Sequence, residues 1–388
     1  MHSSFLTLTI NTGSSSIKVG VFDTKGILLT NLRIENIGQS RAVLVNVNNK
    51  TEVDANDHRS AIAVIMSHLF DHYPKEDFIA VGHRVVHGGD RFAESTIISD
   101  TVINDLKKLA VFDPLHLSVQ ILAIEYARQF LPSATHIACF DTAFYRDMPK
   151  RAQLLPIPRR YYEKGIRRYG FHGLSYSYLI DQLRQLEGDA VANGRVIFAH
   201  LGSGASLTAT YEGKPVDTTM GLTPLSGLMM STRSGDLDPG LFSVLHAIDG
   251  MNADEFNDMV SKGSGLLGVS DISADMAMLI EQYPSDARAS EAVELFCYEI
   301  QKAIGSLVAV LGGLDALVFS GGIGENAPFI RDKIGKAVAH FGVAIDPIAN
   351  EAGKDRLSKD DDRIVRIIKT NEESVIAKEV RRLAIKEV

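Results

Sequence analysis

The sequence predicts a two-domain α/β protein. Three observations carry this: β-branched apolar runs alternate with segments of helical period, a strand–turn–strand unit occurs twice, and 388 residues at 45% hydrophobic content can fill two cores of ordinary size. Strands are expected at 5–10 (FLTLTI), 17–23 (IKVGVFD), 27–34 (ILLTNLRI) and 41–47 (RAVLVNV), joined by short polar breaks as in a meander. A helix follows near 57–72, then strands at 78–86 (FIAVGHRVV) and 135–140 (THIACF) separated by helices near 101–110 and 117–130. The second half repeats this plan. VIFAH (196–200) and ASLTATY (205–211) read as strands around a Gly turn, and ALVFSGG (316–322) as a strand leading to a helix at about 327. The last segment, NEESVIAKEVRRLAIKEV, reads as a helix with its acids first and its bases later, the order that a helix dipole favours.

The repeated unit is LTLTINTGSSSIKVGVFD at 6–23 and VIFAHLGSGASLTATYEG at 196–213, and it predicts two related domains. A polar, Pro-containing stretch at 145–170 without clean periodicity is expected to carry the crossing between them. In the two turns, Asn11 to Lys18 and His200 to Ser206, small residues let backbone N–H groups converge into a nest for anionic oxygens. Either turn alone could be an ordinary hairpin, but its recurrence favours a shared role. A third Gly-rich element, SGGIGENA at 320–327, stands between a strand and a helix, where glycines permit close approach of a ligand. Its Gly322, Gly324 and Ala327 match a degenerate dinucleotide fingerprint, with Asp346 near the ribose-acid position, but the surrounding βαβ repeat is missing. No GxxxxGK[ST] sequence occurs, so a P-loop is excluded.

A net charge of −8 without long single-sign blocks gives no electrostatic footprint for nucleic acid. Residues 1–10 show neither a cationic n-region nor a cleavage site, and no apolar run reaches membrane-spanning length, so a cytoplasmic location without membrane contact is expected. Cys139 and Cys297 lie in apolar stretches and read as buried thiols.

Reactive side chains gather with glycine in HRVVHGGDRF (83–92), FDTAF (140–144), RYGFHG (168–173) and STRSGDLDPG (231–240). His83 and His87 have the spacing of a metal pair, but the intervening VV favours a strand and there is no HExxH. Asp236 and Asp238 read as a solvated turn with internal ion pairs, while Asp141 ends a strand, either facing a ligand or capping the next turn.

INTGSSSIKVGVFD, GHRVVHGG, DPLHL, FDTAF, RYGFHG, AHLGSGAS, MGLTPLSGLMMSTRSGDLDPG, VFSGGIGENA and TNEE occur in this order along nearly the whole chain. Together they closely resemble the acetate kinase (acetokinase) family. The resemblance implies a two-domain actin-like, sugar-kinase-like ATPase fold: duplicated ribonuclease H-like domains with a nucleotide cleft between them. It implies residues 1–145, completed by a C-terminal helix at about 372–388, as one domain, and 146–371 as the nucleotide-binding domain. The expected activity is reversible transfer of the γ-phosphoryl group of ATP to acetate, giving acetyl phosphate and ADP, with propionate as the alternative acceptor. A homodimer and Mg2+, with Mn2+ as a substitute, are implied as well.

Carried over position by position, the resemblance makes Asn11 and Glu372 the metal-associated residues and Lys18 a nucleotide-phosphate contact. Further nucleotide contacts are His200, Leu201, Gly202, Ser203 and Gly204; Asp275, Met276 and Ala277; and Gly322, Ile323, Gly324, Glu325 and Asn326. Asp141, His172 and Arg233 correspond to catalytic positions. Arg84 corresponds to the acceptor-binding arginine, and Val86, Leu115, Phe171 and Pro224 to an apolar pocket for the acyl chain. The sequence departs from the family pattern at Ser203, Ala277, Ser226, Ser231 and Tyr145, where Asn, Arg, Glu, Gly and His are usual. The missing Arg at 277 removes a cation able to stack on a base or bind phosphate.

Phosphoryl transfer to a carboxylate brings two anions together, so positive charge matters more than a base. Arg84 can hold an acceptor carboxylate in a bidentate fork while Arg233 and His172 donate to the transferring group. A carboxylic acid with a pKa near ~4 is already ionised at neutral pH, so Asp141 is expected to position its neighbours rather than remove a proton.

Overall fold

A computed structural model describes residues 5–39, 41–46, 49–359 and 363–384. The chain divides into two compact units, Met1–Arg146 with Asn371–Val388, and Asp147–Thr370.

The described strands of the first unit are β1 (Leu6–Thr12), β2 (Ile17–Phe22), β3 (Leu28–Glu35), β4 (Ala42–Asn46), β5 (Lys50–Val53), β6 (Phe78–Val85), β7 (Thr96–Ile97) and β8 (Thr135–Phe140). Their sheet order is β5-β4-β3-β2-β1-β6-β8-β7. β1 to β5 form an antiparallel meander, while β6 runs parallel to β1 and β8 parallel to β6. Burial follows position. Every residue of the central β1 is buried, as two covered faces demand, whereas in β3 burial falls on the alternating Leu32 and Ile34. Helices His58–Phe70 and Leu117–Phe130 pack on the face that carries Leu8, Ile10 and Val81. The helix Glu372–Ala384 covers the opposite face, where Gly82, next to Val81, meets Ile376 and Val380.

The second unit holds β9 (Val196–Leu201), β10 (Ala205–Tyr211), β11 (Lys214–Thr218), β12 (Ala316–Ser320) and β13 (Ile364–Ile367), ordered β11-β10-β9-β12-β13. β9, β10 and β11 are antiparallel, and β12 lies parallel to both β9 and β13. This is the arrangement of β3-β2-β1-β6-β8, so the sequence repeat is a repeat of topology. The 25-residue helix Ala287–Leu311 packs against this sheet. It buries Val293, Phe296, Ile300, Ile304 and Leu307 at helical spacing, with Asp286 as N-cap and Gly312 in the left-handed conformation after its end.

One expectation needs correction. The strand expected through residue 322 ends at Ser320, and Gly321–Asn326 is itself helical, preceding a second helix Pro328–Ala337. Gly321 makes this turn possible at φ +75°, in a place where a Cβ would lie 2.7 Å from the Leu201 carbonyl oxygen. Asp346, whose match to a ribose-acid position the missing βαβ repeat discounts, caps the helix Pro347–Glu351 through bonds from the Ile348 and Ala349 amides. Residues 1–4 of the opening segment, 47 of the expected fourth strand and 385–388 of the expected terminal helix lie outside the described residues. Cys139 and Cys297 are free and buried, and burial pushes both thiols up to about 12. Among the described residues no helix is long and apolar enough to cross a membrane.

Candidate functional site

In the first unit three backbone elements meet around Arg84, which sits near the end of β6. Asn11 lies near the end of the adjacent β1, Asp141 directly follows β8, and Glu372 opens the terminal helix. The carboxyl ends of parallel strands are where open α/β sheets place ligand-facing groups. Arg84 Nε and Nη2 donate to Asp141 Oδ1 and Oδ2 at 3.0 and 2.7 Å, a bidentate fork. Arg84 Nη1 reaches Asn11 Oδ1 at 3.2 Å and Glu372 Oε2 at 3.0 Å. Asn11 Nδ2 donates to Glu372 Oε2 at 2.9 Å and more weakly to Glu373 Oε1 at 3.4 Å. Three of the five guanidinium hydrogens are donated in hydrogen bonds, and Glu372 adds an ion pair at Nη1. Burial opposes the charge on Arg84, but Asp141 and Glu372 outweigh it and hold the guanidinium well above its ordinary value. The β1–β2 register sets Lys18 opposite Asn11, with its side chain exposed.

The second unit carries another convergence. His172 adopts the left-handed region at φ 58° as the residue before helix Gly173–Glu187, an uncommon conformation for a non-glycine residue. His172 Nδ1 is 2.8 Å from Ser206 Oγ, and the ring stacks on His200 with centroids 4.4 Å apart. A Cβ added to Gly204 would stand 3.3 Å from His172 Nε2 and 3.5 Å from Arg233 Nη1, so both side chains converge on the second Gly-rich turn. Arg233 Nη1 also donates to the Pro224 carbonyl at 3.2 Å.

The nearby nucleotide candidates divide by local role. Gly202 N donates to Gly204 O at 3.1 Å, closing the turn, while Ser203 is exposed and its carbonyl accepts from Ser231 N at 3.2 Å. A Cβ on Gly202 would lie 3.6 Å from Gly322 N, which brings this turn beside the helix Gly321–Asn326. Gly322 opens on free space, whereas Glu325 Oε1 accepts from Gly321 N and Thr370 N at 2.9 and 3.2 Å, and Asn326 Nδ2 donates to Gly322 O. Asp275 caps the helix Met276–Gln282 by accepting from Ala277 N at 2.8 Å. Of the apolar candidates, Val86 is buried and Leu115 half-buried in the first unit; Phe171 and Pro224 are buried in the second.

His83 Nε2 meets His136 Nδ1 at 3.0 Å inside the sheet, whereas His87 stacks on Phe112 and accepts from Gly89 N, so the two histidines serve separate networks. Asp236 accepts from Gly227 N and Asp238 from Gly240 N, closing turns. Among the described residues no group of three or more His, Cys, Asp or Glu is arranged to hold a metal ion. Sequence reasoning missed Gln120 and Ser175, and took Thr370 only as part of the TNEE motif. Ser175 Oγ bonds both His200 Nδ1 and Thr370 Oγ1, at 2.9 and 2.8 Å; Thr370 opens the TNEE motif, but no motif marks Ser175, which joins elements so distant in sequence.

Residues 6–378 match the model of the acetokinase family. An acetate kinase from Rhodopseudomonas palustris (strain TIE-1) is 43% identical over 391 residues, covering 97% of this chain and 98% of the relative. Among solved structures, a propionate kinase from Francisella tularensis superposes with a TM-score of 0.91 at 34% identity, covering 98% of this chain and all of that one. The acetate kinase of Porphyromonas gingivalis gives 0.87 at 34% identity, with the same coverage. With the motifs in order and both halves of the fold present, the chain belongs to the acetokinase family.

Proposed function

We propose that the protein is an acetate kinase, transferring the γ-phosphoryl group of ATP reversibly to acetate to give acetyl phosphate and ADP. The observation that carries the chemistry is Arg84, a partly buried guanidinium whose fork already grips a carboxylate, that of Asp141, at 3.0 and 2.7 Å. With Asp141 holding Nε and one hydrogen of Nη2, an acceptor carboxylate reaches Arg84 from the Nη1 side, where Asn11 and Glu372 now stand. Asp141 is on this view a positioning group for Arg84. His172 and Arg233 supply donors to the equatorial oxygens of the transferring phosphoryl group. If Ser206 donates to His172 Nδ1, the ring presents Nε2–H outward.

Asn11 Oδ1 and Glu372, with Asp141 beside them, form an oxygen-only donor set, the hard chemistry that magnesium takes with waters and phosphate oxygens completing its shell. Manganese suits the same donors. Bound with ATP, the ion would neutralise charge on the donor phosphates. Lys18 and the turns at 200–204, 275–277 and 322–326 are proposed to contact the nucleotide, Val86, Leu115, Phe171 and Pro224 the acyl chain.

Propionate is the second acceptor to consider, because the propionate kinase of F. tularensis is so similar in structure. Burial of one methylene is worth about 0.8 kcal/mol, so the two acids should differ by only a few-fold. The deciding experiment is a hydroxamate assay with ATP and magnesium on formate, acetate, propionate and butyrate. Acetate is expected to give the highest kcat/KM with propionate within about tenfold, and no acyl phosphate from any acid would sink the kinase reading.

A homodimer is proposed too. The helix Leu241–Asp249 has no buried residue and exposes Val244 and Ile248 one turn apart, an apolar face of the kind a second copy covers. Light scattering should report twice the chain mass. The two free thiols fit a reducing cytoplasm.

A further inference from the structure

We infer that Gln120 is a positioning residue that fixes the acyl-pocket wall, by tying the backbone of Val86 to the end of β1 and to the segment bearing Leu115; the inference rests on the carboxylate-kinase reading above. The β1–β6 ladder ends with the pair Ile10↔His83. Past that pair the two strands continue as Asn11 and Thr12 on one side and Arg84 and Val85 on the other, with Val86 just beyond β6, the stretch on which the proposed acceptor chemistry rests.

The carboxamide of Gln120 spans this gap. Its Oε1 accepts from Val86 N at 2.9 Å and its Nε2 donates to Thr12 O at 3.1 Å. Gln120 is 2% exposed, so water does not compete for either bond, and breaking one strands a buried polar group. A glutamine is suited to this place because one planar group offers an acceptor and a donor. A carboxylate of the same length has no donor, and methionine offers neither function.

Gln120 is also firmly rooted. It lies one turn into the helix Leu117–Phe130, on the buried face with Leu117, Ile121 and Ile124. Gln120 N bonds His116 O and Leu117 N bonds Asp113 O, each at 3.0 Å, so the helix entry that includes Leu115 is fixed to the same turn. One side chain therefore holds Val86 to the segment bearing Leu115 and to Thr12, the residue that follows Asn11. A wall held this way resists an added methylene; a loosened wall yields to it.

The test is the ratio of kcat/KM for acetate to that for propionate, which does not depend on how much of a preparation is folded. Gln120→Met, close in volume but without the two bonds, should lower this ratio about threefold to fivefold, on the order of one methylene's transfer. KM for both acids should rise. If Gln120 were merely structural, thermal stability and total activity would fall while the ratio stayed at the wild-type value, and that result overturns the inference. Should Gln120→Met give no soluble protein, Gln120→Asn withdraws the amide by one methylene and is read by the same ratio, with the same meaning for an unchanged value. Wild-type protein that makes no acyl phosphate overturns the kinase reading itself, whereas an active wild type with unchanged ratios in the variants overturns only the role of Gln120.

Discussion

At the scale of single residues, the Asp141–Arg84 pair is a bidentate contact, and on the proposed reading its carboxylate serves phosphoryl transfer by orienting Arg84 rather than by moving a proton. Asp141 is 1% exposed and presents both oxygens to one edge of the guanidinium. Asp141→Asn would replace one acceptor by an NH2 group facing that edge and remove the charge that holds it. The expected result is a loss of kcat of about a hundredfold to a thousandfold, in the range of losing one preorganised electrostatic group. This loss should be uniform across the pH profile; recovery on one side only would identify a titrating base instead. Asp141 and Arg84 were legible in FDTAF and GHRVVHGG because such side chains are unusual beside glycine at strand ends. Their contact was not legible, since 57 residues separate them and only the parallel pairing of β6 and β8 brings them together.

Secondary-structure elements place these residues, and the terminal helix Glu372–Ala384 illustrates how. Ile376 and Val380 lie against the backbone of Gly82, two residues before Arg84, and the first residue of the helix is Glu372. A Cβ at Gly82 would lie 2.3 Å from Ile376 Cγ2 and 2.6 Å from Val380 Cγ2, so alanine there must push the helix off the sheet. Gly82→Ala should cost about 1–3 kcal/mol of stability, in the range for overpacking. It should also weaken the Arg84–Glu372 contact. Denaturant midpoints with parallel magnesium titrations of activity would check both, and an unchanged midpoint would show that the helix yields freely. Most elements were readable from local pattern: the helix 117–130 and the strands 135–140 and 205–211 fall where expected. The glycine-bearing helix Gly321–Asn326 was not, because glycines signal a loop unless a tertiary contact such as that of Gly321 with Leu201 directs the turn. The short edge strand β13 is likewise set by pairing with β12, which no local pattern announces.

For the whole molecule, pH should act through buried histidines of the first unit's sheet. His83 is held well below its ordinary value, first by burial and then by His136 and Arg128, and His136 is lowered chiefly by burial. An unfolded chain takes up these protons near pH 6.5, while the native sheet keeps both rings neutral to lower pH. The unfolded state therefore binds more protons in that window. Stability is intact above about pH 6.5 and falls below it, by up to about 1.4 kcal/mol per pH unit for each such histidine. His83→Gln, which can still donate to His136, should flatten this decline in urea unfolding between pH 7 and 5; an equal slope in the variant would assign the acid sensitivity elsewhere. The sequence by itself determined the duplicated α/β plan, the family and the identities of the reactive residues, because periodicity, Gly-rich turns and motif order are properties of local chain chemistry. Only the tertiary structure decided that Arg84 is already held by Asp141, Asn11 and Glu372, that His172 and Arg233 converge on Gly204, and that Gln120 spans the gap beyond the β1–β6 ladder. Those relations join residues tens to hundreds of positions apart, and their geometry follows from strand register and packing rather than from any local preference of the chain.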